Sequence, residues 1–304
     1  MKVAVIDLGT NTCNLLVAEV KPAEFHILHQ SKQLVRLGDD KIRTDEISPE
    51  AIRRVIESFR SHQTIIESFH AEKIRTIATS AVRTAENKIE FLETIGERTG
   101  YLVKVVSGEE EAELIFKGVL LAFGHLHEPS VILDIGGGSN EMIIATGREM
   151  IWKESRPTGM ARIINRFSLS DPIQNSEIKM LREYFAEEHK LTFQHCMTHK
   201  VKTLIGCSGA FDTLADMIDQ VNPGEKQRTT QEISLADFHL IFEKLTRSTR
   251  KQRLTMKGMD QVRVDLIVPA VILIDQLIAE TGIQKIIQTD YALREGVLFE
   301  MIDS

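Results

Sequence analysis

The chain has 304 residues, 42% of them hydrophobic and 27% charged, enough apolar side chain for two packed domains rather than one. Its formal net charge of −7, from 37 Lys and Arg against 44 Asp and Glu, excludes a broad nucleic-acid-binding face, so an anionic ligand must be held by local cations and backbone dipoles. No apolar run reaches the roughly 18 residues of a membrane span, no export leader follows Met1-Lys2, and the three cysteines form no CxxC pair, so the expectation is a cytoplasmic protein without a membrane partner.

In chain order, Val5 to Val20 reads as strand, turn, strand, with Asp7-Leu8-Gly9-Thr10-Asn11-Thr12 at the turn. Phe25 to Gln30 is predicted as a third strand, followed by the segment Leu34 to Gly38. Ser48 as N-cap and Pro49 at the first helical position open a helix to about Phe69. Then come a strand at Lys73 to Ala78, a helix from Asn87 to about Arg98 closed by Gly100, a strand at Leu102 to Val106, and a helix from Glu109 to about Phe123. The polar stretch His125 to Pro129 is the expected boundary, dividing the chain into domains 1–125 and 126–304.

The second half opens on a hairpin at Val131 with Asp134-Ile135-Gly136-Gly137-Gly138-Ser139 at its turn. Helices are predicted at Met160 to Phe167, Ser176 to Lys190, Gly209 to Asp219, Leu235 to Thr246, Leu266 to Ala279 and Tyr291 to Met301, with strands at Thr203 to Gly206 and Lys285 to Gln288. Val221 to Thr230 reads as a less ordered loop. Strands alternating with helices give an α/β class.

Asp7 and Asp134 stand 127 residues apart (134 − 7), and the turns that follow them match in character. Gly, Thr and Ser at a tight turn let successive N–H groups face an anion. Thr10, Asn11 and Thr12 in one half, and Gly136, Gly137, Gly138 and Ser139 in the other, are therefore candidate phosphate ligands, with phosphate gripped between two duplicated halves. The second turn is not a Rossmann fingerprint: a third glycine would fall at position 141, which is Glu141, and no Walker A pattern occurs.

Other groups have two readings. Ser107 and Glu110 suit a capping box, which accounts for Glu109 and Glu110, while Glu111 on the same helix could take a proton from water as general base. Arg83 follows a predicted strand end, where its planar fork suits phosphate; the alternative is an ordinary surface arginine. Gly206-Cys207-Ser208-Gly209 joins strand to helix, and Gly206, Ser208 and Gly209 are candidate anion contacts at the helix start. A cysteine phosphatase requires Cys-x5-Arg, but Thr213 and Glu19 occupy the arginine positions relative to Cys207 and Cys13. His125, His127, His195 and His199 lack a matching second ligand pair, whereas Asp7, Asp134 and Glu141 form a hard-oxygen set suited to Mg²⁺.

Together with Thr79-Ser80-Ala81-Val82-Arg83, Ser107 to Ala112, Arg263-Val264-Asp265 and Leu293-Arg294-Glu295-Gly296, these segments resemble the exopolyphosphatase/guanosine-pentaphosphatase family of the sugar kinase/Hsp70/actin superfamily. The resemblance implies two duplicated actin-like (ribonuclease H-like) domains with an interdomain cleft. It also implies a water-activating Glu111, Arg83 beside the phosphoryl group, Asp134 and Glu141 at Mg²⁺ and substrate phosphate, and a possible homodimer. Hydrolysis of the terminal phosphoanhydride of polyphosphate is the favoured reaction, with guanosine pentaphosphate as the alternative substrate and a catalytically weak nucleotide or polyphosphate sensor as the rival class. Asn14 and Ala210 depart from the family pattern, and the chain, which contains no His-Asp dipeptide and stops at Ser304, resembles the short two-domain members.

Overall fold

The computed structural model describes residues 1–21, 24–38 and 45–302. Two compact units emerge: Met1–Gly118 with Leu293–Ser304, and Val119–Ala292.

In the first unit the sheet order is β3-β2-β1-β4-β5, formed by β1 (Lys2–Leu8), β2 (Thr12–Lys21), β3 (Glu24–Leu34), β4 (Lys73–Ala78) and β5 (Lys104–Val105). β1 is antiparallel to β2 and parallel to β4. Its residues from Val3 onward are all buried, as a central strand covered on both faces must be, whereas β3 at the edge is mostly exposed or half-buried. Helix α1 (Pro49–Phe69) starts where the Ser48 side chain accepts the Ala51 N–H and ends at His70 in the left-handed region. It brings Val55, Phe59 and Ile66 into a core with Ala4, Ile6, Leu15 and Val17. The short α2 (Ser80–Arg83), α3 (Lys88–Thr99) and α4 (Gly108–Phe123) follow in order. Asn87 does not cap α3 with its side chain; its amide instead exchanges hydrogen bonds of 2.9 and 3.0 Å with the Ile47 backbone.

The second unit holds a sheet of order β10-β11-β9-β6-β7-β8. Its strands are β6 (Leu126–Ile135), β7 (Asn140–Gly147), β8 (Glu149–Arg156), β9 (Thr203–Cys207), β10 (Gln231–Ile233) and β11 (Lys285–Thr289). β6 pairs with β7 antiparallel and with β9 parallel, repeating the relation of β1 to its two neighbours. The helices are α5 (Met160–Phe167), α6 (Asn175–Glu188), α7 (Lys190–Thr198), α8 (Ser208–Asp219), α9 (Leu235–Thr246), α10 (Arg250–Arg253), α11 (Ile267–Thr281) and α12 (Leu293–Ile302). α11 is buried from Ile267 through Ile278 and packs against α5 to α9, so its continuous apolar run is a core helix. Among the described residues no helix is long and apolar enough to cross a membrane.

Several expectations change. The stretch expected as a linker, His125 to Pro129, runs into β6, and an irregularity between Leu126 and Ser130 absorbs its polar residues. The last helix, α12, joins the first unit by packing on β1 and β2, so that unit is built from both ends of the chain rather than from residues 1–125 alone. β8 was not expected, because Glu149, Lys153, Glu154 and Arg156 mask its alternation; it is an edge strand that can expose charge. Val221 to Thr230 is irregular as expected, but Arg228 within it is buried and donates to Asp216 at 2.7 Å and Asp219 at 2.8 Å.

Candidate active site

The turn joining β1 to β2 is closed by a Gly9 N–H to Thr12 carbonyl bond of 2.9 Å. Chain emerging from β3 then takes up its carbonyls: Thr10 accepts from Gly38 N–H at 3.2 Å, and Asn11 accepts from Val35 at 2.9 Å and Arg36 at 3.1 Å. In a trans peptide each N–H points opposite the preceding carbonyl. The Asn11 and Thr12 N–H groups therefore point away from the 35–38 segment. The buried Asn11 Nδ2 has no hydrogen-bond partner among the described residues, which leaves another donor at the same tip.

The turn joining β6 to β7 repeats the design with a different cover. A Gly136 N–H to Ser139 carbonyl bond of 3.0 Å closes it. The start of α5 takes the carbonyls: Met160 N–H donates to Gly136 at 3.0 Å, Ala161 N–H to Gly137 at 2.9 Å, and Arg162 Nε to Gly138 at 2.8 Å. Three consecutive N–H groups, of Gly137, Gly138 and Ser139, are thereby turned away from α5, the arrangement of an anion-binding nest. The approach is close enough that a methyl on Gly136 would lie 2.6 Å from the Ser139 carbonyl oxygen, and one on Gly159 2.5 Å from the Gly137 and Gly138 backbones.

In the same unit α2 ends on Arg83, and α4 begins at Gly108 with Glu111 in its first turn. Arg83 Nη1 donates to Glu111 Oε2 at 2.7 Å and to the Val106 carbonyl at 3.0 Å, so it is not a free surface arginine. Glu111 is 6% exposed, and the guanidinium fixes its orientation. Of the expected capping box only one half forms. Ser107 Oγ accepts the Glu110 N–H at 3.1 Å, while the Glu110 carboxylate turns instead to Lys104.

Asp134 and Glu141 are partners across the β6–β7 ladder, so both side chains leave the same face of the sheet. They are 7% and 1% exposed. The Ser208 hydroxyl donates to Asp134, and Ser155 Oγ donates to Glu141 at 2.7 Å. The two carboxylates, with the hydroxyls of Ser208 and Ser155 beside them, are hard oxygen donors of the kind a divalent cation such as Mg²⁺ takes. Asp7 differs: the Asn14 amide donates to it at 3.0 Å. Among the described residues no three His, Cys, Asp or Glu are grouped to hold a metal. A cation at Asp134 and Glu141 would thus complete its shell with water and ligand oxygens.

Gly206 lies one residue before the end of β9, and Ser208, in the left-handed region at φ 70°, starts α8 beside Gly209. Arg263 lies against Gly209, where a methyl would stand 2.4 Å from its Nε, and that buried Nε has no hydrogen-bond partner among the described residues. In the sequence Arg263 stands out only as part of Arg263-Val264-Asp265. Its orphaned donor beside a helix start is the signal that marks it. Burial pushes the Cys13 and Cys196 thiols up to about 12, which makes neither a nucleophile. The His195 ring, 4.1 Å from Trp152, is stacked on it, and His199 follows 6.0 Å further on, so these two histidines serve packing.

The sequence profile of the Ppx/GppA phosphatase family matches residues 16–304. The chain is 28% identical over 314 residues to a Mycobacterium tuberculosis protein named Exopolyphosphatase 2, covering 99% of this chain and 98% of that one. The crystal structure of an exopolyphosphatase from Cytophaga hutchinsonii is 35% identical and superimposes with a TM-score of 0.94 over 100% of this chain and 98% of its own. The crystal structure of the Aquifex aeolicus member of the Ppx/GppA family, 24% identical, shares the fold at a TM-score of 0.83 over 99% and 97% of the two chains.

Proposed function

Because the chain belongs to the Ppx/GppA phosphatase family, we propose that it is an exopolyphosphatase, hydrolysing the terminal phosphoanhydride of inorganic polyphosphate to release phosphate. The observation that carries hydrolysis is the nearly buried Glu111 held at 2.7 Å by Arg83. The substrate reading is supported by the names of the M. tuberculosis and C. hutchinsonii relatives. Buried thiols at Cys13, Cys196 and Cys207 suit a reducing, cytoplasmic setting.

Glu111 orients a water molecule and takes its proton as the water oxygen bonds to the terminal phosphorus; the bridging P–O bond breaks, and the shortened polyphosphate leaves on its oxygen while orthophosphate is released. Arg83 shares its fork between Glu111 and a phosphoryl oxygen, which keeps the base and the reacting group in register. In the first unit the N–H groups of Asn11 and Thr12, with Asn11 Nδ2, suit phosphoryl oxygens, and in the second unit those of Gly137 to Ser139 do; the carbonyl preceding each of these N–H groups is already hydrogen-bonded, so the donors need not reorganise during the reaction. Within the second unit, Gly206, Ser208, Gly209 and Arg263 offer a further anion contact at the start of α8. Asp134 and Glu141 would hold Mg²⁺, which when bound neutralises phosphate charge.

The test is phosphate release from short polyphosphate, long polyphosphate and guanosine pentaphosphate in Mg²⁺, with Glu111→Gln beside the parent. General-base help is worth about 10²–10⁴-fold, so E111Q should lose at least 100-fold in kcat with an unchanged circular dichroism spectrum. A nearly normal rate would remove Glu111 from the mechanism. Preference for guanosine pentaphosphate would reassign the substrate, and binding without release would favour a sensor.

A further inference from the structure

Beneath the glycine turn of the second unit runs a line of fully buried polar side chains. Asn140, immediately after Ser139, sends its amide Nδ2 to the Thr158 carbonyl at 2.7 Å and to Thr158 Oγ1 at 3.0 Å. Thr158 Oγ1 meets His189 Nε2 at 3.0 Å, and His189 Nδ1 meets Glu154 Oε1 at 3.1 Å. Asn140, Thr158 and His189 are each 0% exposed and Glu154 8%.

Donor chemistry gives this line a direction. An amide nitrogen can only donate, so Thr158 Oγ1 accepts from Asn140 and keeps its own hydrogen to give. Burial opposes charge on Glu154, yet hydrogen bonds from His189 and Thr192 and the nearby Arg156 outweigh it and hold its carboxyl below the usual range. In the neutral ring, the nitrogen that faces the carboxylate, Nδ1, is the donor, and Nε2 then accepts from Thr158. The sequence Asn140 to Thr158 to His189 to Glu154 is thus one unbroken run of donors and acceptors.

Its end point is the turn. Thr158 is held by both carbonyl and hydroxyl, and the next residue, Gly159, lies flat against the Gly137 and Gly138 backbone. Residues 160 to 162 then make the bonds that turn the three glycine carbonyls away from the anion side. Four buried polar groups cost more to desolvate than apolar residues of the same size would, so bare stability is a poor reason for them. Fixing Thr158, and through Gly159 the aim of the three N–H groups, is a better one. His189 sits at the corner between α6 and α7, which anchors the line to the helical layer.

We propose that Glu154, His189 and Thr158 act through Asn140 and Gly159 as positioning residues for the glycine turn, setting the direction of its phosphate-binding N–H groups without touching the ligand. This rests on the phosphohydrolase reading of that turn.

Binding is read apart from turnover by titrating inorganic tripolyphosphate, with Mg²⁺, into E111Q protein carrying either Thr158→Val or Thr158→Ser. Thr158→Val keeps the shape of the side chain and removes the hydroxyl; Thr158→Ser keeps the hydroxyl. The expected result is a Kd at least tenfold weaker for T158V and within about twofold of the parent for T158S, with matching near-UV circular dichroism. If T158V does not fold, Thr158→Ala replaces it with the same expected loss. Equal Kd values for parent and hydroxyl-less variant would overturn the proposal, as would ¹⁵N NMR showing the His189 proton on Nε2. A wild-type protein that binds tripolyphosphate but releases no phosphate would sink the hydrolase reading alone, and the Kd comparison would still decide the relay. A parent that does not bind tripolyphosphate overturns both.

Discussion

The two glycine-containing turns share one geometric idea and differ in how it is enforced. Each closes on a bond between its first N–H and its last carbonyl, Gly9 to Thr12 and Gly136 to Ser139, and each has its inner carbonyls taken up by the chain that leaves the third strand of its hairpin meander. In the first unit that chain is irregular and covers two carbonyls. In the second it is the opening of α5 and covers three, backed by the Glu154–His189–Thr158–Asn140 line. The positions opposite the aspartates also part company: Asn14 faces Asp7, whereas Glu141 faces Asp134. One copy gives its aspartate an amide hydrogen bond. The other places two carboxylates opposite each other across the ladder. Duplication preserved the direction of the N–H groups and let the supporting chemistry diverge.

The largest expected effect tests the tightness of the two turns at matched positions. A methyl at Gly136 would meet the Ser139 carbonyl oxygen at 2.6 Å, but at Gly9 the corresponding oxygen, of Thr12, stands 3.3 Å away. Gly136→Ala must open the closing bond and spoil three aimed donors. Losing such donors costs about 10²–10³-fold in rate, so phosphate release should fall by roughly that factor, while Gly9→Ala should stay within about tenfold of the parent. Equal losses at both positions would mean that the turns are equally strained and the contrast is false.

A middle-sized effect tests the carboxylate pair. Glu141→Gln removes one of the two charges at Asp134, and the Mg²⁺ concentration for half-maximal activity should rise about tenfold or more, with little change in melting temperature. The reciprocal change, Asn14→Asp, installs a second carboxylate beside Asp7, where the amide now stands at 3.0 Å. Repulsion there should cost about 1–2 kcal/mol, or a few degrees in Tm. Added Mg²⁺ should restore the loss if the two hairpins are equivalent scaffolds. An Asn14→Asp protein of unchanged Tm, with or without Mg²⁺, would show that Asp7 sits in a different electrostatic setting from Asp134.

Much of this was legible in the sequence, and the boundary of legibility has a physical cause. Turn residues between apolar runs, an aspartate at the strand end and Glu111 at a helix start are local patterns of side-chain type, and Asp134, Glu141, Glu111 and the turn residues could all be named from them. The covers of the turns could not, because the bonds made by residues 35 to 38 and 160 to 161 use backbone N–H groups that every non-proline residue carries. Arg263 reaches Gly209 from far along the chain, and His189 reaches Glu154 from a helix corner; neither leaves a local trace. The Arg83–Glu111 pair was half visible, since each residue stood out singly but nothing in their spacing joined them. The return of α12 to the first unit is a topological fact that strand and helix order alone does not encode.

The smallest effect concerns the cover of the first turn. Arg36 holds φ 47°, the left-handed region, while its N–H donates to Asn11 at 3.1 Å and its carbonyl accepts Arg54 Nη2 at 3.1 Å. Both bonds use only its backbone. A non-glycine residue in that region costs about 1–2 kcal/mol, and asparagine is among the few that visit it readily without glycine's entropic cost in the unfolded chain. Arg36→Asn should therefore keep the cover and gain roughly 0.5–1 kcal/mol, a rise of about 2 °C in Tm by scanning calorimetry. Activity should not move, because in this copy the cover works through main chain alone. The second turn's cover differs in this respect, since Arg162 lends its side-chain Nε to Gly138. A loss of activity in Arg36→Asn without a loss of stability would give Arg36 a side-chain role as well, and the two covers would then be closer in kind than their backbones suggest.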